Sequence, residues 1–91
     1  MNNDNKLDNE FDKCVEYIKN SEKMNINNDT KLYFYAHYKQ SLHGDCNIQR
    51  PVGLFNLSEK LKYDAWNNLK GLSKTQAKKN YTDKFNEVVK N

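Results

Sequence analysis

Residues 32–45 read LYFYAHYKQSLHGD, and the fold turns on how this stretch is read. Successive residues of a helix are rotated by about 100°, so Leu32, Phe34, Tyr35, Ala36 and Tyr38 cannot all point inward. A helix over about Thr30 to Leu42 therefore buries part of its aromatic surface and presents the rest. Asn28 or Asp29 offers a side-chain oxygen to cap its start, and Gly44 suits the turn that ends it. Tyr35, Tyr38 and Lys39 fall at i, i+3 and i+4, which puts two phenols and an ammonium on one face within a turn. Hydroxyl and ammonium can both donate to a phosphate, and a phenol ring offers a flat surface to a purine. The same triplet also reads as two tyrosines at the rim of a core followed by a solvated lysine, and both readings stay open at this level.

Working outward, Leu7, Phe11, Cys14, Val15 and Ile18 recur at helical spacing and predict an amphipathic helix from about Asp8 to Ser21. After Gly44, the stretch DCNIQRPVGLFN holds the chain's one proline. It is too irregular for a helix and too apolar for a slack linker, so it is expected to be a packed loop. Ser58 is expected to cap a third helix with Leu61, Ala65 and Leu69 along one stripe, Trp66 beside it, and an end at Gly71. Ser73-x-x-Gln76 has the pattern of a reciprocal capping box opening a fourth helix, whose apolar face is Ala77, Tyr81, Phe85 and Val88. Nothing alternates with period two, so the expectation is four helices and no sheet. A link of about three residues makes helices three and four neighbours, while the longer loop before helix three can cross the bundle.

Composition sets the limits. A chain of 91 residues is one small domain, residues 1–91. The 15 Lys+Arg against 12 Asp+Glu leave a net charge of +3, too little to hold the chain expanded. Its positive charge is lysine apart from Arg50, which argues against sequence-specific nucleic-acid reading and allows a small anion. No apolar run approaches the ~18 residues of a membrane span, and MNNDNKLDNEF has no leader-like pattern, so a soluble cytoplasmic chain without stable membrane insertion is expected. Cys14 and Cys46 stand without a CxxC or paired-His motif, so no metal site is expected and both are read as reduced thiols. His37 and His43 are six apart and do not share a helical face. No nucleophile–base pair or glycine-rich phosphate loop stands out, and no catalytic residue or cofactor is assigned.

Taken in order, FDKCVEYIK (11–19), YFYAHYKQSLHGDCN (33–47), RPVG (50–53) and KYDAWNNLKGLSKTQAKKNY (62–81) resemble the acyl-CoA-binding protein family over nearly the whole chain. The resemblance implies an all-α four-helix bundle in up-down-down-up order, a carrier and pool former for medium- and long-chain fatty acyl-CoA, and no catalysis. Tyr35, Tyr38 and Lys39 match the binding face of the family's second helix, Lys62 its third-helix lysine and Tyr81 its fourth-helix tyrosine. In the family these hold the 3′-phosphate and adenine of coenzyme A. Lys19 matches a lysine that approaches the phosphates, and Leu32, Ala36 and His37 complete the candidate set. Tyr63 stands where the family commonly has Trp, the loop RPVGLFNLS is one residue longer than the common form, and residues 24–31 differ beside the acyl chain, which leaves chain-length preference open. A monomer making transient contact with acyl-CoA-using enzymes is expected. The competing readings are a helical protein-interaction module with no lipid ligand and nonspecific RNA binding through Lys and Tyr.

Overall fold

The computed structural model describes residues 3–20 and 26–89. It contains α1 (Asn3–Asn20), α2 (Asn28–His43), α3 (Leu57–Asn67) and α4 (Lys74–Val88), with no strand among the described residues. The all-α expectation holds. Helix α2 is central, packing against both α3 and α4, while α1 packs on α4.

The elements start and stop where local chemistry dictates, with several corrections. Helix α1 begins five residues ahead of the expected Asp8, because the polar stretch before it contains no Gly or Pro to break the helix; the expected end at Ser21 lies outside the described residues. The cap of α2 is Asn27, not Asn28 or Asp29, and its side-chain oxygen accepts the Thr30 amide at 2.8 Å. Gly44 closes α2 as expected: its φ is 77°, and its amide donates to the Gln40 carbonyl at 2.9 Å. Ser58 does not cap α3. Asn56 occupies that position with no side-chain capping bond, and its amide group donates instead to the Val52 carbonyl. Helix α3 also ends at Asn67, short of Gly71, and residues 68–71 turn on i→i+3 bonds such as Leu69 amide to Trp66 carbonyl at 2.9 Å. In α4 the Ser73 hydroxyl accepts the Gln76 amide at 3.0 Å, but the Gln76 side chain reaches forward to Asn80 at 2.8 Å, so only half of the expected reciprocal box forms.

The core joins α1, α2 and α4. Phe11, Cys14, Phe34, Tyr81 and Phe85 are buried together, with Val15, Ile18, Ile26 and Tyr38 packed against them. Edge-on contacts of Phe11 with Tyr81 (5.1 Å between ring centroids) and of Phe34 with Tyr81 (4.9 Å) tie the three helices at one point. On α3 the stripe differs from expectation: Leu61 is exposed and the one buried residue is Trp66, whose indole donates to the Gly44 carbonyl at 2.9 Å.

The α2–α3 loop is anchored by polar groups, not by its apolar side chains. The fully buried Gln40 amide donates to Asp45 at 2.9 Å and to the Leu72 carbonyl at 2.8 Å. Asp45 also accepts the Gly71 amide at 2.8 Å, so one carboxylate pins the start of this loop to the α3–α4 turn. These two donors, Gly71 first and then Gln40, hold the Asp45 carboxyl below its ordinary value. Gln40→Leu removes a buried donor and takes from the Leu72 carbonyl its side-chain partner, and is expected to destabilise the fold by about 1–3 kcal/mol. A shift of the urea midpoint measures this; an unshifted midpoint would show that the pin is dispensable.

Candidate functional site

Helix α2 sorts its aromatics between core and rim. Phe34 and Ala36 are buried, whereas Tyr35, Tyr38 and Lys39 are half-buried along one edge. Tyr38 lies against Phe11 with ring centroids 6.4 Å apart and planes 22° apart, so its ring is braced by α1. Tyr35 lies between two ammonium groups: Lys39 Nζ is 5.9 Å and Lys62 Nζ 5.6 Å from its ring centroid. Lys39 Nζ also sits 5.5 Å from the Trp66 ring, a contact that holds a long side chain at the rim. Lys62 reaches this position from α3 and pairs with Glu59 one turn earlier at 3.5 Å.

Two hollows open beside this cluster. One, of about 320 Å³, lies between α1, α2 and α4; Val15, Ile18, Ile26 and Phe34 form its apolar wall, and Lys19, Lys31, Tyr35, Tyr38 and Tyr81 contribute polar ends. The second, of about 340 Å³, lies between α2 and α3 and is lined by Leu32, Leu57 and Leu61 together with Lys31 and Lys62. Each lies at the small end of the usual ~300–1,000 Å³ range for ligand pockets. Lys31 lines both, so the two form adjoining parts of one face. That face is apolar in its hollows and cationic on its rim, a pairing suited to an amphiphile with an anionic head.

The Tyr35 and Tyr81 hydroxyls are donors at neutral pH. Burial, followed by the Glu59 carboxylate and the Cys46 thiol, raises the Tyr35 phenol above its ordinary 10.0. Burial, with smaller effects of Cys14 and Tyr38, raises Tyr81 further in the same direction. A protonated phenol donates to a phosphate oxygen, whereas a phenolate repels it.

The nine sequence candidates divide into two groups. Lys19, Tyr35, Tyr38 and Tyr81 line the first hollow, Leu32 and Lys62 the second, and Lys39 sits beside Tyr35. Ala36 and His37 instead line a separate depression with Asp29, Tyr33, Ala65 and Leu69, which Leu32 also borders. The His37 imidazole is spent on structure. Its Nδ1 lies 2.8 Å from the Tyr33 carbonyl, its Nε2 lies 3.3 Å from the Asn80 amide of α4, and its ring lies 4.0 Å from that of Tyr33. Lys31, Leu57 and Leu61 also line this face; none was a sequence candidate for the site, and Leu61 was expected in the core stripe of the third helix. Lys31 lies one turn before Tyr35, at the i−4 spacing that could have found it. Among the described residues no group of His, Cys, Asp and Glu is arranged to hold a metal, and no helix is long and apolar enough to cross a membrane.

Burial lowers the His37 pKa from 6.5, against the opposing pull of the Tyr33 carbonyl. As pH falls below that value the unfolded chain takes up the proton before the folded one, so folding stability declines from there down to the folded-state pKa. Urea titrations on either side of pH 6.5 are expected to show this decline, with a flatter profile in His37→Asn. An unchanged slope would mean the imidazole titrates as if in solvent.

Comparison with known proteins bears on this face. The family model described as "Acyl CoA binding protein" matches residues 8–85. Acyl-CoA-binding protein homolog 3 of Caenorhabditis elegans is 39% identical over 85 residues, covering 90% of this chain and 72% of that protein. The acyl-CoA-binding domain-containing protein 6 homolog of Dictyostelium discoideum is 40% identical over 87 residues, which is 93% of this chain but 30% of that longer protein. The crystal structure of the acyl-CoA-binding protein (ACBP) from Moniliophthora perniciosa superposes with a TM-score of 0.85 at 40% identity, over 91% of this chain and 80% of that one.

Proposed function

The chain belongs to the acyl-CoA-binding protein family, and from that premise we propose that its tyrosine–lysine face holds the coenzyme A head of a fatty acyl ester while the adjoining apolar hollows shelter the tail. The protein binds acyl-CoA and carries it without transforming it. Its ligand is the ester, and no cofactor is needed.

The observation that carries the assignment of residues is the bracketing of the Tyr35 ring by Lys39 and Lys62 at the mouth of an apolar hollow. Two ammonium groups brought from different helices onto one ring suit a concentrated anion, and the ring and its hydroxyl suit an adenosine 3′-phosphate. Lys19 and Tyr81 enter from α1 and α4 on the other side of the same hollow. A charge-assisted hydrogen bond contributes about 1.5–3 kcal/mol and adenine stacking about 1–3, so three or four such contacts suffice to orient the head. The reading extends to residues 1–91 as one domain, acting as a cytoplasmic monomer that meets acyl-CoA-consuming enzymes transiently; a face assembled within one chain supports the monomer.

Calorimetric titration of Lys39→Ala is the test. The variant is expected to lose roughly 10- to 150-fold in affinity for every acyl-CoA by a similar factor, because the head is common to all of them. A loss confined to one chain length would instead put Lys39 against the tail. Tyr35→Phe, which removes a hydroxyl donor to the charged phosphate, is expected to weaken binding about 10- to 150-fold at unchanged thermal stability; an unfolded variant would make Tyr35 a core residue. A protein-docking module without lipid ligand is not favoured, because the tyrosine–lysine face borders apolar hollows, not a flat patch.

A further inference from the structure

The α2–α3 loop presents its apolar side chains outward. Val52 is 80% exposed, Leu54 91% and Phe55 98%, and Leu57 at the start of α3 is 66% exposed. Values this high place the side chains on a projection, not in a hollow. The projection is fixed from within: Lys60 Nζ donates to the Gly53 carbonyl at 2.6 Å, the Asn56 amide donates to the Val52 carbonyl, and Arg50 grips Asp64 through two bonds of 3.0 Å. The turn is therefore built to hold three large apolar groups in water, an arrangement that marks an interaction surface.

We propose that this tip docks the protein on an anionic bilayer surface, with Val52, Leu54 and Phe55 entering the interface. A convex wedge of isolated apolar side chains suits the headgroup–acyl boundary, where binding strength follows apolar area buried plus attraction of cations to anionic lipid. Cations border the tip: Lys60 at its base, and Lys31 and Lys62 in the hollow beside it. Glu59 is paired with Lys62 and Asp64 with Arg50, so these four charges cancel and the net positive charge beside the tip is that of Lys60 and Lys31. Leu57 belongs both to the exposed run and, with Leu32 and Leu61, to the α2–α3 hollow. It gives a tail leaving the bilayer a continuous apolar path into the protein. The inference rests on the acyl-CoA reading for its purpose, but not for its test.

The test is vesicle flotation without any acyl-CoA, using equal parts phosphatidylcholine and phosphatidylserine in one series and phosphatidylcholine alone in another. The protein is expected to float with the mixed vesicles more than with the neutral ones, and to release as salt is raised. The double variant Leu54→Ser/Phe55→Ser is expected to bind the mixed vesicles about tenfold or more weakly. It should keep its circular dichroism spectrum and bind dodecanoyl-CoA below its micelle concentration as the unmodified protein does. Docking is overturned if the unmodified protein ignores both vesicles, which would leave another protein as the target of the tip, or if the double variant floats equally well. It is also overturned if the variant loses vesicle and soluble dodecanoyl-CoA binding together, which would make the loop a cover for the tail. Failure of the unmodified protein to bind dodecanoyl-CoA in solution would sink the carrier reading alone.

Discussion

Free coenzyme A is expected to bind at least about a thousandfold more weakly than a long-chain acyl ester of the same head. Removing a methylene from water is worth about 0.8 kcal/mol, so a tail of about fourteen carries roughly 11 kcal/mol before costs. The hollows are shallow, and immobilising a flexible chain forfeits much of this, yet even a third of it, about 4 kcal/mol, gives the stated ratio. In the proposed arrangement the head would be oriented through Lys39, Lys62 and Tyr35, and the tail would gain strength along the hollows that Leu32, Phe34 and Leu61 line. Calorimetry with a ladder of chain lengths measures the increment per carbon and shows where the hollows end, as the length beyond which affinity stops rising. Equal affinities for free coenzyme A and the long-chain ester would remove the hollows from the account.

Trp66→Ala is expected to destabilise the fold by about 3–5 kcal/mol, the range for deleting a large buried aromatic. A chain of 91 residues has roughly 5–14 kcal/mol in total, so this single change takes a large share of the whole. Trp66 is the one buried residue of α3, and its indole bond to Gly44 ties that helix to the end of α2. Alanine there leaves a cavity, orphans the Gly44 carbonyl and removes the ring beneath Lys39. Since α3 brings Lys62, Leu57 and Leu61 to the proposed ligand face, acyl-CoA binding should fall with stability, while the Phe11–Phe34–Tyr81 contacts among α1, α2 and α4 do not involve it. Urea melts followed by circular dichroism give the number. A loss below about 1 kcal/mol would show that α3 is held by something other than Trp66.

Helix α4 was legible because one stripe does one job: Ala77, Tyr81 and Phe85 repeat at helical spacing and all three are buried. Helix α3 was less so, because its apolar residues serve two purposes. Trp66 anchors it to α2 while Leu57 and Leu61 line a hollow, and no periodicity separates the two roles. The α2–α3 loop was misjudged for a related reason. Apolar content suggested burial, but the anchoring falls to Gln40, Asp45, Arg50 and Lys60, whose partners lie as far as 32 residues away and leave no local pattern. In the proposed ligand face, spacing alone joined Tyr35, Tyr38 and Lys39. Lys62 and Tyr81 come from α3 and α4, so no spacing along α2 could have joined them to the triplet, and only the family resemblance pointed to them. The resemblance did not separate Ala36 and His37 from the others; helical rotation carries them about 100° and 200° from Tyr35, into a depression that Leu32 also borders.

The most direct measurement is a crystal structure of the protein with dodecanoyl-CoA. The account predicts a 3′-phosphate within hydrogen-bonding distance of Lys39 Nζ and the Tyr35 hydroxyl, about 2.7–3.2 Å, with the adenine against a tyrosine ring and the tail lying along the neighbouring hollows. A phosphate bound elsewhere, with Tyr35 and Lys39 still facing solvent, would contradict it.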